Sequence, residues 1–391
     1  MIQRKNLVWV YCGATLFLCM AAFVYWLIVW KYKAYTDDAY VEGNQVILTP
    51  LKPGFVQAIL TEETYLVEKG QLLVQLDETD AKIALQQAQE NLGAVVREVC
   101  QNFHEVFALK AQVKSNKAIF IKSAQDYEHR AVVLDVRGVS LEDFEHAVAA
   151  LRSTFFLLQM SETLFEKSYS LVQNTTILSN PKTLVAISQV RQAWVDLYRC
   201  NIYSPVKGLV AQRSIQVGMW VPSGWPLLAI IPLDQIWVNA NFKETQMNLM
   251  RIGQPVKVTS DLYGDDVIFN GRIAGLPGGA GNAFSLLPPQ NLSGNWIKIV
   301  QRLPVRVEFD QIELEKHPLR IGLSMEATVN LKAPGALVPV SPIGAPTYIT
   351  DIFKKEEFGD CSWIDNIIEA NLDPSLKKFK SDPISVEIFD D

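Results

Sequence analysis

The longest regular pattern of apolar positions runs from Ala81 to Leu134. Spaced by four and three residues in turn, it reads Ala81, Leu85, Ala88, Leu92, Val95, Val99, Asn102, Val106, Leu109, Val113, Asn116, Phe120, Ser123, Tyr127, Arg130 and Leu134. A register held this long predicts a coiled-coil helix rather than an ordinary globular one. Asp80 suits its N-terminus. Arg137-Gly138-Val139 breaks the pattern, and Ser140-x-x-Asp143 reads as a fresh N-cap. A second helix then carries Phe144, Val148, Leu151, Phe155, Leu158 and Phe165 on one face. "NTTILSNP" at 174–181 interrupts it, and Pro181 opens a resumed helix through Leu184, Ile187, Trp194 and Leu197. The break at 137–139 lies near the middle of residues 78–200, so the pattern predicts an antiparallel hairpin roughly 80 Å long.

The pattern on either side has the short period of strands. "TPLKPGFVQAILTEETYLVEKGQLLVQLD" and "SPVKGLVAQRSIQVGMWVPSGWPLLAII" are two copies of one β-rich segment. Gly54 and Gly70 are separated as Gly208 and Gly224 are. Residues 49–77 and 201–232 are thus predicted to be two halves of one small sandwich, split by the hairpin. Within 233–332, "IWVNANF", "QPVKVTS", "DVIFNGRIAG", "PVRVEF" and "MEATVNL" predict a second β domain, with a short helix near Glu244–Met250.

Residues 7–30 contain no charge and are long enough, at roughly 36 Å, to cross a bilayer as a helix. Arg4 and Lys5 precede them, Lys31 and Lys33 follow, and Trp26, Trp30 and Tyr32 suit an interface. A cleaved signal peptide would have a shorter apolar region. The expectation is an uncleaved single-pass anchor, with a tail at 1–6 and, at 31–48, a linker and a strand that the resemblance described below assigns to a barrel. The net charge of −6 over 391 residues argues against a nucleic-acid partner. Cys12 and Cys19 lie in the anchor, and Cys100, Cys200 and Cys361 are isolated, so neither a disulfide framework nor a zinc site is expected.

Three stretches carry a resemblance: "YTDDAYVEGNQV" from Tyr35, "WVNANFKETQMNLMRIGQPV" from Trp237 and "FSLLPPQNLSGNWIKIVQRLPVRVEFD" from Phe284. With the anchor, the split repeat and the inserted hairpin, the chain resembles the membrane fusion proteins, in the EmrA branch of the HlyD family, over about residues 5 to 335. The resemblance implies a mixed α+β, elongated fold: an N-terminal transmembrane helix, a split lipoyl-like β-sandwich, a long α-helical coiled-coil hairpin and a membrane-proximal β-barrel. It implies a periplasmic adaptor in the Gram-negative inner membrane, with its N-terminus cytoplasmic. As partners it implies an EmrB-like major facilitator transporter, a TolC-like outer-membrane channel and further copies of itself, as a trimer or hexamer. Hydrophobic drugs would be the cargo.

Family members carry an Arg–Leu–Ser pattern at the hairpin tip that meets the channel. Arg130, Leu134 and Ser140 match it with one residue fewer between Leu and Ser, and Arg137 and Gly138 lie among them. The plainer reading stays open beside it, with Ser140 an N-cap and Arg130 a solvated residue. In the barrel motif, Trp237, Asn241, Phe242, Lys243 and Glu244 stand together. Lys243 and Glu244 read as a strand-to-helix junction or a partner contact. Trp237, Phe242, Phe284 and Trp296 read as barrel core first and drug contacts second.

No catalytic signature appears: there is no G-x-S-x-G, H-E-x-x-H or Walker lysine motif. His104, His129, His146 and His317 are scattered. The modified lysine of true lipoyl domains lies on the turn that the hairpin replaces, so no cofactor is expected. Two rival functions are an adaptor for secretion driven by an ATP-binding cassette transporter and a cofactor-carrying domain of a membrane enzyme. The tail at 333–391 begins Pro-rich. Its later part reads either as a short amphipathic helix or, over the last twenty residues, as chain without fixed structure.

Overall fold

The computed structural model describes residues 2–25, 31–134, 138–279, 300–338, 348–354 and 362–384. Contacts divide the chain into two compact units: Met1–Gln75 with Ile202–Ile352, and Leu76–Asn201 with Phe353–Asp391.

The first unit opens with helix α1 (Ile2–Tyr25). The expected span continues through residues 26–30, which lie outside the described residues. Among the described residues, no helix is long and apolar enough to cross a membrane. Strand β1 (Lys33–Gly43) belongs to a barrel completed only after residue 236. Between these parts the first repeat, which begins earlier than the predicted residue 49, contributes β2 (Val46–Leu48), β3 (Gly54–Ile59), β4 (Leu66–Val67) and β5 (Leu72–Leu76). The second contributes β6 (Asn201–Tyr203), β7 (Gly208–Arg213), β8 (Trp220–Val221) and β9 (Leu228–Ile231). They form two four-stranded sheets, β2-β9-β7-β4 and β6-β5-β3-β8. Each sheet takes two strands from each repeat, so neither repeat can complete a sheet alone. Val56, Val67, Leu73, Val74, Val210, Val221 and Ile230 are fully buried in the sandwich.

β1 closes with β10 (Ile236–Lys243), β11 (Pro255–Ser260), β12 (Gly264–Gly275), β13 (Arg302–Phe309) and β14 (Ser324–Asn330) into a barrel of order β1-β10-β13-β12-β11-β14. Closure leaves no free edge to recruit foreign strands. The inward set is period two: Ile236, Val238, Ala240 and Phe242 on β10, and Met325, Ala327 and Val329 on β14. A 3-10 turn (Glu244–Leu249) follows β10, and helix α5 (Gln311–Lys316) follows β13. Gly264, at φ +70°, opens β12.

The second unit is helical: α2 (Thr79–Leu134), α3 (Leu141–Tyr169), α4 (Pro181–Tyr198) and, from the tail, α6 (Ser362–Asn371). Every residue of the heptad pattern on α2 is at least half-buried, and Leu92, Val99, Val106, Val113 and Asn116 are fully so. Asn116 is satisfied by Gln112, whose Nε2 donates to its Oδ1 at 3.1 Å. In the return arm, Asn180 caps α4 by accepting from the Lys182 N–H at 3.1 Å, and its Nδ2 donates to the Leu171 carbonyl at 3.2 Å.

A second buried stripe runs beside the first on α2: Gly93, Val96, Cys100, Phe103 and the half-buried Phe107. The tail covers it. Ile364, Ile368 and Leu372 share one core with Val96, Cys100 and Phe103, and so do Leu376, Phe379 and Ile384. The Phe379 ring lies 5.7 Å from Phe103 and 5.5 Å from Phe107. The tail also completes the loop between α3 and α4: Ile177 N–H donates to the Phe379 carbonyl at 2.9 Å and Asn174 N–H to the Ile384 carbonyl at 3.2 Å. Gly93 is a cradle, since a Cβ there would come within 2.9 Å of the Asn371 amide. The absence of fixed structure entertained for the last twenty residues is therefore wrong for 372–384. Leu376, Phe379 and Ile384 bury too much apolar surface to leave it in water.

Candidate functional site

A polar bond between the two arms, from Arg130, braces the tip of the hairpin. The Arg130 guanidinium donates to the Asp143 carbonyl at 2.8 Å and pairs with Asp126 at 3.2 Å. The Tyr127 and Phe144 rings pack at 5.5 Å just beneath. Ser140 is extended (φ −71°, ψ 152°), accepts from the Asp143 N–H at 3.1 Å and donates to the Asp143 carboxylate at 2.6 Å. That is the N-cap arrangement, which satisfies an otherwise orphaned helix donor. Gly138 N–H returns to the Val133 carbonyl at 3.0 Å, closing the end of α2.

The structure thus brings Arg130, Leu134, Gly138 and Ser140 to one end of the hairpin. Arg137 lies outside the described residues. Arg130 is not a free solvated residue, because its guanidinium ties the two arms together. Leu134 is half-buried, whereas its neighbours Val132 and Leu141 are 78% and 66% exposed. Sequence reasoning passed over these two. Neither belongs to the heptad seam, and their signal is the unexplained placement of apolar residues at a turn. His146 faces Glu142 on its own helix at 3.8 Å.

In the sandwich the four repeat glycines sit in reciprocal positions. Gly54 pairs with Val221, and Gly208 pairs with Val67. Gly70 and Gly224 both lie at φ +80°, and their N–H groups donate to Ser204 (2.7 Å) and Pro50 (2.9 Å), each in the opposite repeat. Gly208 is also sterically required: a Cβ would stand 2.6 Å from the Ile231 carbonyl. The pairing register explains the shared glycine spacing, because each half templates the other.

In the barrel, two of the motifs prove to be partners. β1 shifts register between Thr36 and Ala39, and Asp38 projects from that bulge. Asn241 Nδ2 donates to Asp38 at 3.0 Å, Arg302 pairs with its other oxygen at 2.5 Å, and Thr36 Oγ donates to the Asn241 carbonyl at 2.8 Å. Phe242 is core. Trp237 faces outward, with the Arg306 guanidinium 4.0 Å above its ring. Lys243 N–H is held by Gln246 at 3.0 Å, and Gln246 reaches the Tyr35 carbonyl at 3.1 Å; the Lys243 and Glu244 side chains are exposed. Phe284 and Trp296 lie outside the described residues.

A sandwich interleaved from two repeats, with a helical hairpin inserted between them and a barrel after them, defines the membrane fusion class of adaptor. Residues 79–200 match the family model of the EmrA alpha-helical hairpin domain. The probable multidrug resistance protein EmrK of Escherichia coli K12 is 44% identical over 311 residues, 80% of each chain. Multidrug export protein EmrA of the same strain is 41% identical over 78% of this chain and 79% of its own. A solved structure of the periplasmic adaptor protein EmrA aligns with 76% of this chain and 98% of that one, at 16% identity and a TM-score of 0.40. The chain belongs to the EmrA family of multidrug-export membrane fusion proteins. That family consists of adaptors rather than enzymes.

Proposed function

We propose that this chain is the adaptor of a tripartite multidrug efflux pump. In this reading the uncharged segment 7–30 anchors it in the inner membrane with its N-terminus cytoplasmic and its bulk periplasmic. It couples a major facilitator transporter of the EmrB kind to a TolC-like outer-membrane channel, and it works as a ring of three or six copies. The exposed face of α1 supports the anchor: Tyr11, Leu16, Phe17, Leu18, Met20 and Phe23 are uncovered large apolar side chains.

The observation that carries the reading is the tip. Arg130, Asp143 and Ser140 brace it, and beside them the two large apolar side chains Val132 and Leu141 stand exposed. Large apolar side chains held exposed next to a braced helix end suit docking into a partner better than solvation. No energy source is read in this chain, so the driving force is assigned to the transporter.

Val132→Asp combined with Leu141→Asp tests the proposal. Both positions are exposed, so the hairpin should keep its helical circular dichroism and its expression level. Drug resistance of cells carrying the pump should fall to that of cells without the adaptor. Full resistance with the charged tip would remove the tip from the mechanism.

A further inference from the structure

The first unit contains a cleft of about 660 Å³, within the range of small-molecule sites. It opens where the sandwich, the link between β9 and β10, and α5 approach one another. Leu66, Leu233, Leu314 and Ile349 supply its apolar walls. Ile349 is 76% exposed, although it sits on a fixed segment. The next residue, Thr350, donates to the Pro205 carbonyl at 3.2 Å, and Asp351 pairs with Lys69 at 2.7 Å. A large aliphatic side chain is thus held uncovered at the lip of an apolar cleft.

The charges around the cleft do not balance. Lys69 is matched by Asp351, and Lys207 by Glu68, each at 2.7 Å. The carboxylates of Asp234 and Glu315 also line the cleft, and among the described residues neither side chain has an ion pair or a hydrogen bond. With Asp351 and Glu68 counted at its rim, the cleft carries four carboxylates against two lysines beside an apolar surface. The sign of those charges favours a cation over an anion of the same size, a preference that solvent and salt moderate because Asp234 and Glu315 are exposed.

We propose that this cleft is a binding site for lipophilic cations, such as quaternary ammonium or phosphonium ions with aryl or alkyl substituents. The apolar walls take the substituents, and Asp234 and Glu315 neutralise the charge. The site goes beyond the adaptor role, which requires only that the chain join two partners.

Tetraphenylphosphonium and tetraphenylborate test it, because they share size and shape and differ in the sign of their charge. Equilibrium dialysis of each against the full-length protein in a neutral detergent separates saturable binding from partition into micelles. The cation should bind saturably, one per chain, and at least about tenfold tighter than the anion. Asp234→Asn with Glu315→Gln should lower cation affinity by about tenfold and abolish the discrimination. Both carboxylates are exposed, so the double variant should keep the wild-type circular dichroism. Leu233→Trp, which fills the cleft, should weaken cation binding in a chain that keeps both carboxylates. Equal binding of the two ions, or undiminished cation binding in the double variant, would overturn the proposal. No transporter or channel is present in this assay, so its result is independent of the adaptor reading.

Discussion

Thr64 and Gly218 occupy equivalent places in the two halves of the sandwich. Both are in the left-handed region, at φ 71° and 84°. Glycine enters that region freely, whereas a β-branched residue pays for it sterically. Thr64 is exposed, and a Cβ at Gly218 would meet nothing within 4 Å, so the backbone alone decides both cases. Thr64→Gly should stabilise the sandwich by roughly 0.5–1 kcal/mol, and Gly218→Thr should cost about 1–2 kcal/mol. Thermal melts followed by the fluorescence of the sandwich tryptophans would give the two signs, and a loss of stability in Thr64→Gly would refute the symmetry argument. Asp373 is the second informative residue. Ser375 donates to its carboxylate from both hydroxyl (2.6 Å) and backbone (2.8 Å), and His104 approaches at 3.0 Å. These bonds hold its pKa down to about 2. A carboxyl depressed on folding contributes stability that is complete above its ordinary pKa and is lost as pH falls through the folded value. Docking of the tail should therefore hold at about pH 4 and weaken toward about pH 2. The fluorescence of Trp363 reports it, and Asp373→Asn should lack the step.

The elements divide by how far apart their partners lie in the chain. The seam of α2 was legible because its spacing alone specifies a helix with one buried face. Its second stripe was not, although Val96, Cys100, Phe103 and Phe107 each follow a seam residue directly. One apolar stripe beside another reads as noise until a third element needs it. That element is α6 with the 3-10 turn at Pro374–Lys380, some 270 residues away in sequence. Ile364, Ile367, Ile368 and Leu372 have helical spacing, so the amphipathic helix was readable, but nothing local says what it covers. Similarly, the glycine spacing announced the repeat, and only the strand order showed that the halves interleave. The docked tail carries a prediction. Cys100 is buried beneath it, and that burial pushes the thiol pKa up. Removing residues 362–391 should speed maleimide labelling of Cys100 by on the order of tenfold or more. Phe379→Ala, which opens a cavity against Phe103 and Phe107, should move labelling in the same direction. Unchanged labelling in both would mean that the tail contributes nothing to the closure of the hairpin.

For the whole molecule, the class of fold was legible because its parts announce themselves separately: a long heptad run, a repeat on either side of it, and alternating strands afterwards. The bracing of the tip was only half legible. Ser140-x-x-Asp143 reads as a cap in sequence, but the reach of Arg130 to the Asp143 carbonyl depends on the closure of the turn. Sequence spacing does not reveal that Val132 and Leu141 are left exposed beside the braced tip. The central claim is that this end meets an outer-membrane channel while the other parts of the chain serve an inner-membrane transporter. The most direct test places a photo-cross-linking residue at position 132 or 141 of the full-length protein in its native envelope and identifies the adducts by mass spectrometry. Adducts with an outer-membrane channel, and co-purification of a major facilitator transporter, are the predicted result. Adducts with neither the channel nor any envelope protein, or an ATP-binding cassette transporter as the inner-membrane partner, would contradict it.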